Sequence, residues 1–459
     1  LTVDGVGEWA TTTVMHAKGN SITKLKEIRF PHSLGLFYST FTSFCGFKVN
    51  DGEYKMMGLA PYADPNSNQV LELINIIKTN IILIHQDGSF TLNLEYFYFG
   101  LSQRMYNEEK WFQLFNVKAN NDTSFSIPSI YIQMSCAVQK ITEEVYLKLA
   151  LHTKELTNSS NLCISGGVAL NCVANGVLKK KNIFKNIWIQ PASGDAGSSV
   201  GCALAVHHIY LDEKKDMLST DDAMRNSLLG PSYHDQEISD MLTKKNAIFT
   251  TCPSSQEVAE QVAALLAKGN IVGWFKGRME FGPRALGNRS IFADSRDSTM
   301  QSKINEKVKF REQFRPFAPI VKREDVNKYF DFTDDSPYML FVASVQKDQL
   351  HQAPENYNNF SLREKLIHKK STLPSITHVD NSARIQTVTK TTNPYIYSLL
   401  DEFEKLTGCS VLINTSFNSN NEPIVCSPTD AYNCFMKTNL DFLILENFIL
   451  SKKEQIINI

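Results

Sequence analysis

The sequence predicts an α/β protein of two domains, and three observations support this. A short apolar run, a glycine-rich turn and a helix of small residues follow one another twice, at residues 161–178 and 187–210. This order is typical of α/β layers. The length of 459 residues also exceeds the roughly 100–200 residues of a usual domain. Because residues 211–228 are polar and charged, we place the boundary there, between domains 1–215 and 216–459.

Local patterns predict the elements of both domains. Runs of β-forming residues bounded by turn residues predict strands. The expected strands are residues 1–3 and 11–16, paired as a hairpin, and residues 161–164, 187–190, 270–275 and 411–414. Apolar side chains with helical spacing predict helices. The expected helices are residues 33–45, 131–156, 197–210, 256–267 and 429–437, with a further one that ends near residue 178.

Charge and composition exclude several classes of protein. The chain has 47 basic and 48 acidic side chains and a net charge of −1, which argues against a nucleic-acid partner. No apolar run approaches the roughly 20 residues that a membrane span requires, so we expect no membrane partner. The nine cysteines form no CxxC pair. We therefore expect reduced thiols in a cytoplasmic protein.

Arginine is concentrated in one segment of the chain. Lysines number 35 and arginines only 12, yet six of the arginines lie within residues 278–315. Residues 276–315 hold ten basic and five acidic side chains, a local excess of +5. Arginine binds phosphate or carboxylate through a planar fork of two hydrogen bonds. A phosphorylated substrate and a structural ion-pair network are the two explanations that this pattern leaves open.

The strongest motif of this segment is GRMEFGPRALGNRS, at residues 277–290. It carries Arg278, Arg284 and Arg289 together with Glu280, which offsets their mutual repulsion. Glycines and a proline interrupt it, so it cannot be one regular solvated helix face. Arg384 is a further arginine in an otherwise neutral, strand-like stretch. We predict these five side chains as the catalytic group.

A neutral loop follows the apolar strand that ends near residue 414. The loop NTSFN contains Asn414, Ser416 and Asn418, which offer amide and hydroxyl donors without charge. Donors of this kind position a small polar group such as an amide. Ordinary turn capping is the alternative. A little further on, Asn421 tolerates the left-handed backbone that a glycine would otherwise supply.

Two glycine-rich turns of the first domain are candidates for binding an anion. Gly5 and Gly7 lie in DGVGE between the hairpin strands, where backbone amides can face a phosphate. Gly166 and Gly167 lie between a strand and a helix, where amides and the helix dipole favour an anion. A tight hairpin and close helix packing are the respective alternatives.

Two aspartates are candidates for holding a divalent cation. Asp4 ends the first strand of the hairpin, and Asp195 follows the apolar strand at residues 187–190. Carboxylates from two separate strands can hold one cation between them. A turn-forming Asp4 and an N-cap Asp195 are the alternatives.

Ten segments, in order from residue 1 to about residue 450, resemble the ATP-dependent O-carbamoyltransferase family. This family includes nodulation-factor, cephem and tobramycin carbamoyltransferases. The segments are VDGVGEWATT, PHSLGLFYSTFT, GFKVNDGEYKMMGLAPYA, SGGVALNCVANG, PASGDAGSSVG, GRMEFGPRALGNRSI, FRPFAPIV, SPYMLFVA, THVDNSARIQTV and NTSFN with NEPIV. Their collinearity is far more specific than any one of them.

The resemblance implies an actin-like ATPase-type N-terminal domain and a separate α/β carbamoyltransferase C-terminal domain. It also implies that the first domain is incomplete, because family members carry roughly a hundred residues before DGVGE, with a His-x-x-x-His metal pair. None of the ten histidines here has that spacing. The implied metal is Fe(II) or Mg²⁺, and Fe(II) would lack its imidazole ligands.

The resemblance further implies an activity. Carbamoyl phosphate releases its carbamoyl unit in the C-terminal domain, ATP takes it up as carbamoyl adenylate with loss of pyrophosphate, and a hydroxyl of a sugar or natural product receives it. By position, Asp4 and Asp195 match the metal-binding aspartates. The nucleotide-binding turn is matched by Gly166, Gly167 and Asn171, and Glu53 and Lys55 lie in a segment expected to reach the nucleotide. The arginine motif, Arg384 and NTSFN match the carbamoyl phosphate region.

Two other functions stay open. The chain is alternatively a partner-dependent or non-catalytic protein that binds a nucleotide or an anion, completed by an N-terminal segment or by a homodimer. A tRNA threonylcarbamoyladenosine-type enzyme is the further alternative. Enzymes of that type share only the N-terminal segments with this chain, so they leave the arginine motif unexplained. The balanced charge also argues against a tRNA substrate.

Overall fold

The chain divides into two compact units, Leu1–Ser219 and Thr220–Ile459. The computed structural model describes residues 1–102, 104–121, 127–214 and 222–455. Both units combine helices with strands, so the predicted α/β class is confirmed. The relation of the first unit to actin-like ATPases stays a prediction. No described helix combines the length and the apolar character that crossing a membrane requires.

The first unit is built from short strands and a few long helices. Its strands are β1 (Thr2–Gly7), β2 (Ala10–Lys18), β3 (Ser21–Arg29), β4 (Ile82–Ile84), β5 (Phe90–Leu92), β6 (Asn161–Ile164) and β7 (Asn186–Ile189). Its helices are α1 (Leu34–Phe44), α2 (Glu53–Leu59), α3 (Asn68–Asn80), α4 (Glu108–Phe115), α5 (Ser129–Thr157), α6 (Cys172–Lys180) and α7 (Ser198–Ala205), the last continued by a wider turn over Val206–Tyr210.

The strands β1, β6 and β7 run side by side in one direction. β1, β2 and β3 form an antiparallel meander, and β6 pairs with β7 in parallel. A parallel bridge between Thr2 and Ser165 joins β1 to the end of β6. It is supported by a bond of 2.9 Å from the Val3 amide to the Ser165 carbonyl. The carboxyl ends of the three strands therefore lie at one edge.

The second unit is organised around a nine-stranded mixed sheet. Its strands are β8 (Thr250–Thr251), β9 (Val272–Phe275), β10 (Arg289–Asp294), β11 (Ala318–Lys322), β12 (Phe341–Ser344), β13 (Ser382–Val388), β14 (Val411–Ser416), β15 (Phe442–Leu445) and β16 (Phe448–Ser451). Its helices are α8 (Asp235–Lys244), α9 (Ser255–Ala267), α10 (Met300–Ile304), α11 (Val326–Tyr329), α12 (Leu362–Ile367), α13 (Pro394–Thr407) and α14 (Pro428–Lys437).

The order of this sheet brings distant parts of the chain together. The strands follow one another as β12-β13-β11-β14-β10-β9-β15-β16-β8. Every residue of the central strands β9, β10 and β11 is buried. Such continuous burial shows that both faces of the sheet are covered, and it includes the polar and charged residues at the ends of β10 and β11.

Most predicted elements match the observed ones. The hairpin is confirmed as β1 and β2, although β1 continues through the glycines to Gly7. The predicted helices differ from the observed ones by at most two residues at either end. The predicted linker at residues 211–228 lies partly outside the described residues.

Candidate functional site

A first candidate site lies at the carboxyl ends of β6 and β7 beside the middle of β1, where Asp4 lies three residues before the strand ends and not at its end as predicted. The Oδ1 atom of Asp4 accepts a hydrogen bond of 2.9 Å from the amide of Gly167. The amide of Gly166 donates to the carbonyl of Ser193 at 2.8 Å, in the turn that leads to Asp195. The predicted aspartate and diglycine turns are therefore neighbours at one sheet edge, although their binding of metal or nucleotide stays a prediction.

Gly166 allows the diglycine turn to approach β1 closely. Its φ is +95°, a conformation that side chains rarely adopt, and a Cβ there would lie 2.2 Å from the carbonyl oxygen of Val3. Gly35 likewise allows the first turn of α1 to approach β1 closely, since a Cβ at this position would lie 2.7 Å from the carbonyl oxygen of Asp4. Close backbone packing, and not only ligand approach, thus explains these glycines.

Ser33 fixes α1 against the same edge. As the N-cap residue, its Oγ accepts from the amide of Leu36 at 3.0 Å, and it donates to the carbonyl of Gly5 at 2.5 Å. Ser33 and Gly35 were not predicted as site residues. Their only signal in the sequence is their place in PHSLGLFYSTFT.

The variant Gly166→Ala is expected to lower the free energy of unfolding of the first unit by well over 1 kcal/mol, because its native backbone excludes a Cβ. Gly201→Ala is the matched control, since nothing lies within 4 Å of a Cβ at that helical position. Urea unfolding of both variants measures the difference. Equal stability of the two would contradict the close approach of the diglycine turn to Val3.

Asn171 is engaged in a polar network. Its Oδ1 accepts from the amide of Ala174 at 3.0 Å, as the N-cap of α6, and its Nδ2 donates to Gln139 Oε1 at 3.0 Å. Gln139 Nε2 returns a bond of 3.2 Å to Asn171 Oδ1. The network joins α6 to α5. A contact between Asn171 and a nucleotide stays a prediction.

Glu53 and Lys55 lie in the first turn of α2. The Oε1 atom of Glu53 accepts from the Ser39 hydroxyl at 2.6 Å and from the Asn50 amide at 3.0 Å. These bonds tie the first residue of α2 to the turn that precedes it and to α1. Contacts of Glu53 and Lys55 with a nucleotide stay predictions, as does one of Gly7, which is exposed at the end of β1.

The two aspartates do not belong to a larger set of metal ligands. Within residues 1–102, 104–121, 127–214 and 222–455, no group of three or more His, Cys, Asp or Glu side chains is arranged to hold a metal. Mg²⁺ is commonly held by one or two carboxylates together with substrate phosphates, whereas iron oxygenase sites use histidines. Asp4 and Asp195 match the carboxylate part of a Mg²⁺ site that substrate phosphates complete, and the identity of the metal stays a prediction.

A second candidate site is the arginine motif, which folds around Glu280. The buried Oε1 atom of Glu280 accepts from three amides, those of Leu286 at 2.6 Å, Asn288 at 2.8 Å and Arg289 at 3.3 Å. A carboxylate that accepts several backbone amides holds a loop in one conformation. This geometry gives Glu280 a structural role. A direct part in catalysis stays a prediction.

Arg289 is fully buried and holds the same loop. Its guanidinium lies 3.5 Å from the centre of the Phe275 ring and donates to the carbonyls of Gly277, Asn288 and Pro231 at 2.9, 3.0 and 3.2 Å. Burial lowers the pKa of Arg289 from the ordinary arginine value to about 10. The predicted contact between Arg289 and a phosphate is not tested by these bonds, which are all made to backbone.

Arg278 and Arg284 lie on more accessible parts of the loop. Arg278 is exposed, and its Nη2 donates to the carbonyl of Leu229 at 2.8 Å. Arg284 is half-buried. Their accessibility is compatible with the predicted binding of an anion.

Strand β13 brings Arg384 toward the arginine motif. Two residues further on, Gln386 Nε2 donates to the Leu286 carbonyl at 2.7 Å, and Gln386 Oε1 accepts from Asn414 Nδ2 at 2.6 Å. Alternate residues of a strand face the same side, so Arg384 lies on this same face. Gln386 was not predicted, and its only signal is its place in ARIQTV. The structure thus joins β13 to two predicted regions, the arginine motif and the strand leading into NTSFN.

The segment NTSFN, whose first three residues still belong to β14 and not to the predicted loop, is held by Lys309, which is 2% exposed. Its Nζ donates to the carbonyl and hydroxyl oxygens of Ser416, and to the carbonyl and Oδ1 of Asn418 at 3.0 and 2.7 Å. Lys309 was not predicted as a site residue, since nothing but its place in the basic segment marks it. As expected, Asn421 adopts a left-handed backbone, with φ of 60°.

Burial lowers the pKa of Lys309 well below the ordinary lysine value of 10.5, and the charges of Arg311 and Arg315 lower it further, against a smaller opposing effect of Cys434. Above the folded-state pKa and below 10.5, the unfolded chain binds the proton that the folded chain has lost. The free energy of unfolding is therefore expected to rise with pH through this window. The variant Lys309→Met should flatten that rise in urea unfolding between pH 7 and 10. An unchanged slope would contradict the assignment.

Two regions of this chain match the sequence patterns of one protein family. The carbamoyltransferase N-terminus matches residues 1–204, and the carbamoyltransferase C-terminus matches residues 263–452. An uncharacterized protein of Synechocystis is 50% identical over 99% of this chain and 73% of its own length. Nodulation protein NolO of Bradyrhizobium diazoefficiens is 32% identical over 98% of this chain and 75% of its own length.

A third relative carries an explicit activity in its name. The 3'-hydroxymethylcephem-O-carbamoyltransferase of Streptomyces clavuligerus is 32% identical over 64% of this chain and 49% of its own length. One matched region lies in each unit, and the similarity to NolO spans nearly the whole chain. The chain therefore belongs to the carbamoyltransferase family of enzymes.

Proposed function

We propose that the protein transfers a carbamoyl group from carbamoyl phosphate, through a carbamoyl adenylate made with ATP, to a hydroxyl of a sugar or natural product. The observation that carries this proposal is the meeting of the arginine motif, β13 and β14 through Gln386, with Arg384 on the same face. Carbamoyl phosphate combines a charged phosphate with a neutral amide. Arginines beside neutral amide side chains are complementary to that combination.

The proposed reaction has three balanced steps. Carbamoyl phosphate reacts with water to give carbamate and inorganic phosphate. A carbamate oxygen then bonds to the α-phosphorus of ATP, and pyrophosphate leaves as carbamoyl adenylate forms. Finally the acceptor hydroxyl oxygen bonds to the carbonyl carbon, AMP leaves with the bonding electrons, and the hydroxyl proton passes to a base. The product is the O-carbamoylated acceptor.

The residues divide between these steps. In the second unit, the guanidinium groups of Arg284 and Arg384 bind the phosphate and stabilise the charge on its leaving oxygen. In the first unit, the diglycine turn at Gly166 and Gly167, whose own amides are bonded to Ser193 and Asp4, lets the ATP phosphates approach the backbone closely. Asp4 and Asp195 would hold Mg²⁺, which neutralises phosphate charge when bound.

The test is phosphate release by the purified chain. We expect carbamoyl phosphate to yield inorganic phosphate without ATP, and ATP to yield pyrophosphate only when carbamoyl phosphate is also present. The control is acetyl phosphate, which lacks the amide. If the chain neither binds nor turns over carbamoyl phosphate, the proposal is wrong for this chain.

A second candidate is a partner-dependent protein that binds nucleotide or anion. It is favoured by the stretch from α7 to residue 211, which contains no Asp, Glu, Lys or Arg and exposes Leu204, Val206, Ile209 and Tyr210. Exposed apolar surface of this extent is typical of an interaction site. Under this candidate, transfer to an acceptor appears only when a polypeptide with the family's His-x-x-x-His segment is added. Under the first proposal, the chain alone releases phosphate.

A further inference from the structure

A short segment that precedes α8 forms one wall of the arginine motif. The amide of Phe281 donates to the carbonyl of Ser227 at 2.6 Å, and the amide of Gly230 donates to the carbonyl of Met279 at 2.8 Å. The side chain of Arg278 adds its bond to Leu229. The segment therefore lies directly against the loop that we propose to bind phosphate.

This wall contains a strained turn. Arg225, Asn226 and Ser227 adopt left-handed backbone in succession, with φ of 46°, 57° and 62°. Non-glycine residues rarely adopt this conformation, and three in succession are unfavourable. Strained backbone persists where surrounding contacts enforce it, and it is concentrated at ligand sites. The strained backbone of this turn thus indicates a candidate ligand site.

The side chains of the turn are buried without partners. Asn226 is 1% exposed and Ser227 is 0% exposed. Neither the Oδ1 and Nδ2 atoms of Asn226 nor the Oγ of Ser227 has a hydrogen-bond partner within the described part of the chain. A buried polar group that stays unpaired is unfavourable, so such groups usually meet a ligand or an ordered water.

Tyr338 attaches this turn to the neighbourhood of Arg384. The carboxylate of Asp222 accepts a bond of 2.7 Å from the backbone amide of Asn226 and another from the Tyr338 hydroxyl. Ser336, two residues before Tyr338, donates to the carbonyl of Ile385 at 2.8 Å, directly after Arg384. The turn is therefore anchored on one side to the arginine motif and on the other to β13.

We propose that Asn226 binds the carbamoyl group of carbamoyl phosphate through its carboxamide, and that the Ser227 hydroxyl adds a third hydrogen bond. This inference rests on the proposed function. A carboxamide presents one acceptor and one donor side by side, which pair with the amino group and the carbonyl oxygen of a carbamoyl group. Asn414 cannot present both carboxamide atoms to the carbamoyl group, because its Nδ2 is already bonded to Gln386.

The test compares three probes: carbamoyl phosphate, acetyl phosphate and inorganic phosphate. Acetyl phosphate carries a methyl group where carbamoyl phosphate carries its amino group, so it cannot donate to Asn226 Oδ1. We expect the wild-type protein to bind carbamoyl phosphate about tenfold more tightly than acetyl phosphate in calorimetric titrations. The variant Asn226→Gly should bring this ratio close to one and leave the affinity for inorganic phosphate unchanged.

Glycine is the chosen replacement because it adopts the left-handed backbone of residue 226 without strain. The matched control is Asn246→Gly, an exposed asparagine with φ of 52° away from the arginine motif. It should keep the wild-type ratio. If Asn226→Gly does not fold, Asn226→Ala also removes both the acceptor and the donor of the carboxamide, and it should also lower the ratio.

The outcomes separate the two proposals. If the wild-type protein binds none of the three probes, the proposed function fails, and the inference about Asn226 fails with it. If the wild-type protein prefers carbamoyl phosphate and the folded Asn226 variants keep that preference, only the inference about Asn226 is overturned. Ordered water would then be what pairs with the buried side chains.

Discussion

Replacement of Arg384 by alanine is expected to slow phosphate release from carbamoyl phosphate by about 100- to 1,000-fold, the usual effect of removing a preorganised donor to developing charge. Arg384 lies half-buried on the face of β13 that meets the arginine motif. Its backbone pairs with β12, but its side chain makes no hydrogen bond or ion pair with any described residue, so its charge is available to a ligand. Steady-state phosphate release measures the effect.

Three comparisons make this prediction specific. The variant Arg384→Lys keeps the charge but loses the planar fork, so it should recover only part of the rate. Arg363→Ala removes an exposed arginine of α12 and should leave the rate unchanged. Thermal unfolding of Arg384→Ala should match wild type, since the structure shows no bond that it breaks. Full activity of Arg384→Ala would contradict a role in phosphate binding.

Replacement of Glu280 by alanine is expected to lower the free energy of unfolding of the second unit by at least about 3 kcal/mol, because each buried donor left unpaired costs about 1–3 kcal/mol. The variant removes the acceptor of three backbone amides, those of Leu286, Asn288 and Arg289. It also removes one of the two carboxylates, Glu280 and Glu446, that favour the charged form of the buried Arg289. Urea unfolding measures the loss.

The variant Glu280→Gln separates structure from catalysis at this position. Its amide oxygen can still accept from the three amides, so most of the stability should be kept. Glu355→Ala, at an exposed position, is the control and should be neutral. If Glu280→Gln folds and releases phosphate at the wild-type rate, Glu280 is a structural residue and the predicted catalytic role is wrong. A loss below about 1 kcal/mol in Glu280→Ala would contradict the structural role.

Much of the fold could be predicted because its signals are local. The strands at residues 161–164 and 187–190, and the helix at 131–156, follow from apolar spacing between near neighbours in sequence. The observed strands and helix, β6, β7 and α5, lie within two residues of those bounds. The spacing of apolar residues decides which face a helix or strand buries, so it predicts the element without knowledge of the tertiary structure.

The candidate sites were only partly predictable. The aspartates, the glycine turns and the arginine motif carry unusual residue types in unusual patterns, and these the sequence reveals. Gln386 and Lys309 carry no such signal, because glutamine and lysine are ordinary surface residues in most sequences. Only their burial, and the bonds that they make to the arginine motif and to NTSFN, distinguish them.

The sequence by itself therefore determined the α/β class, the two regions of the chain and the family to which it belongs. Tertiary structure decided which charged side chains are left to meet a ligand. Arg289 and Arg384 look alike in sequence, yet the guanidinium of the first bonds to three backbone carbonyls and the guanidinium of the second to no described residue. The physical reason is that these contacts join residues far apart in the chain, such as Gln386 and Leu286, which meet only when the sheet has formed.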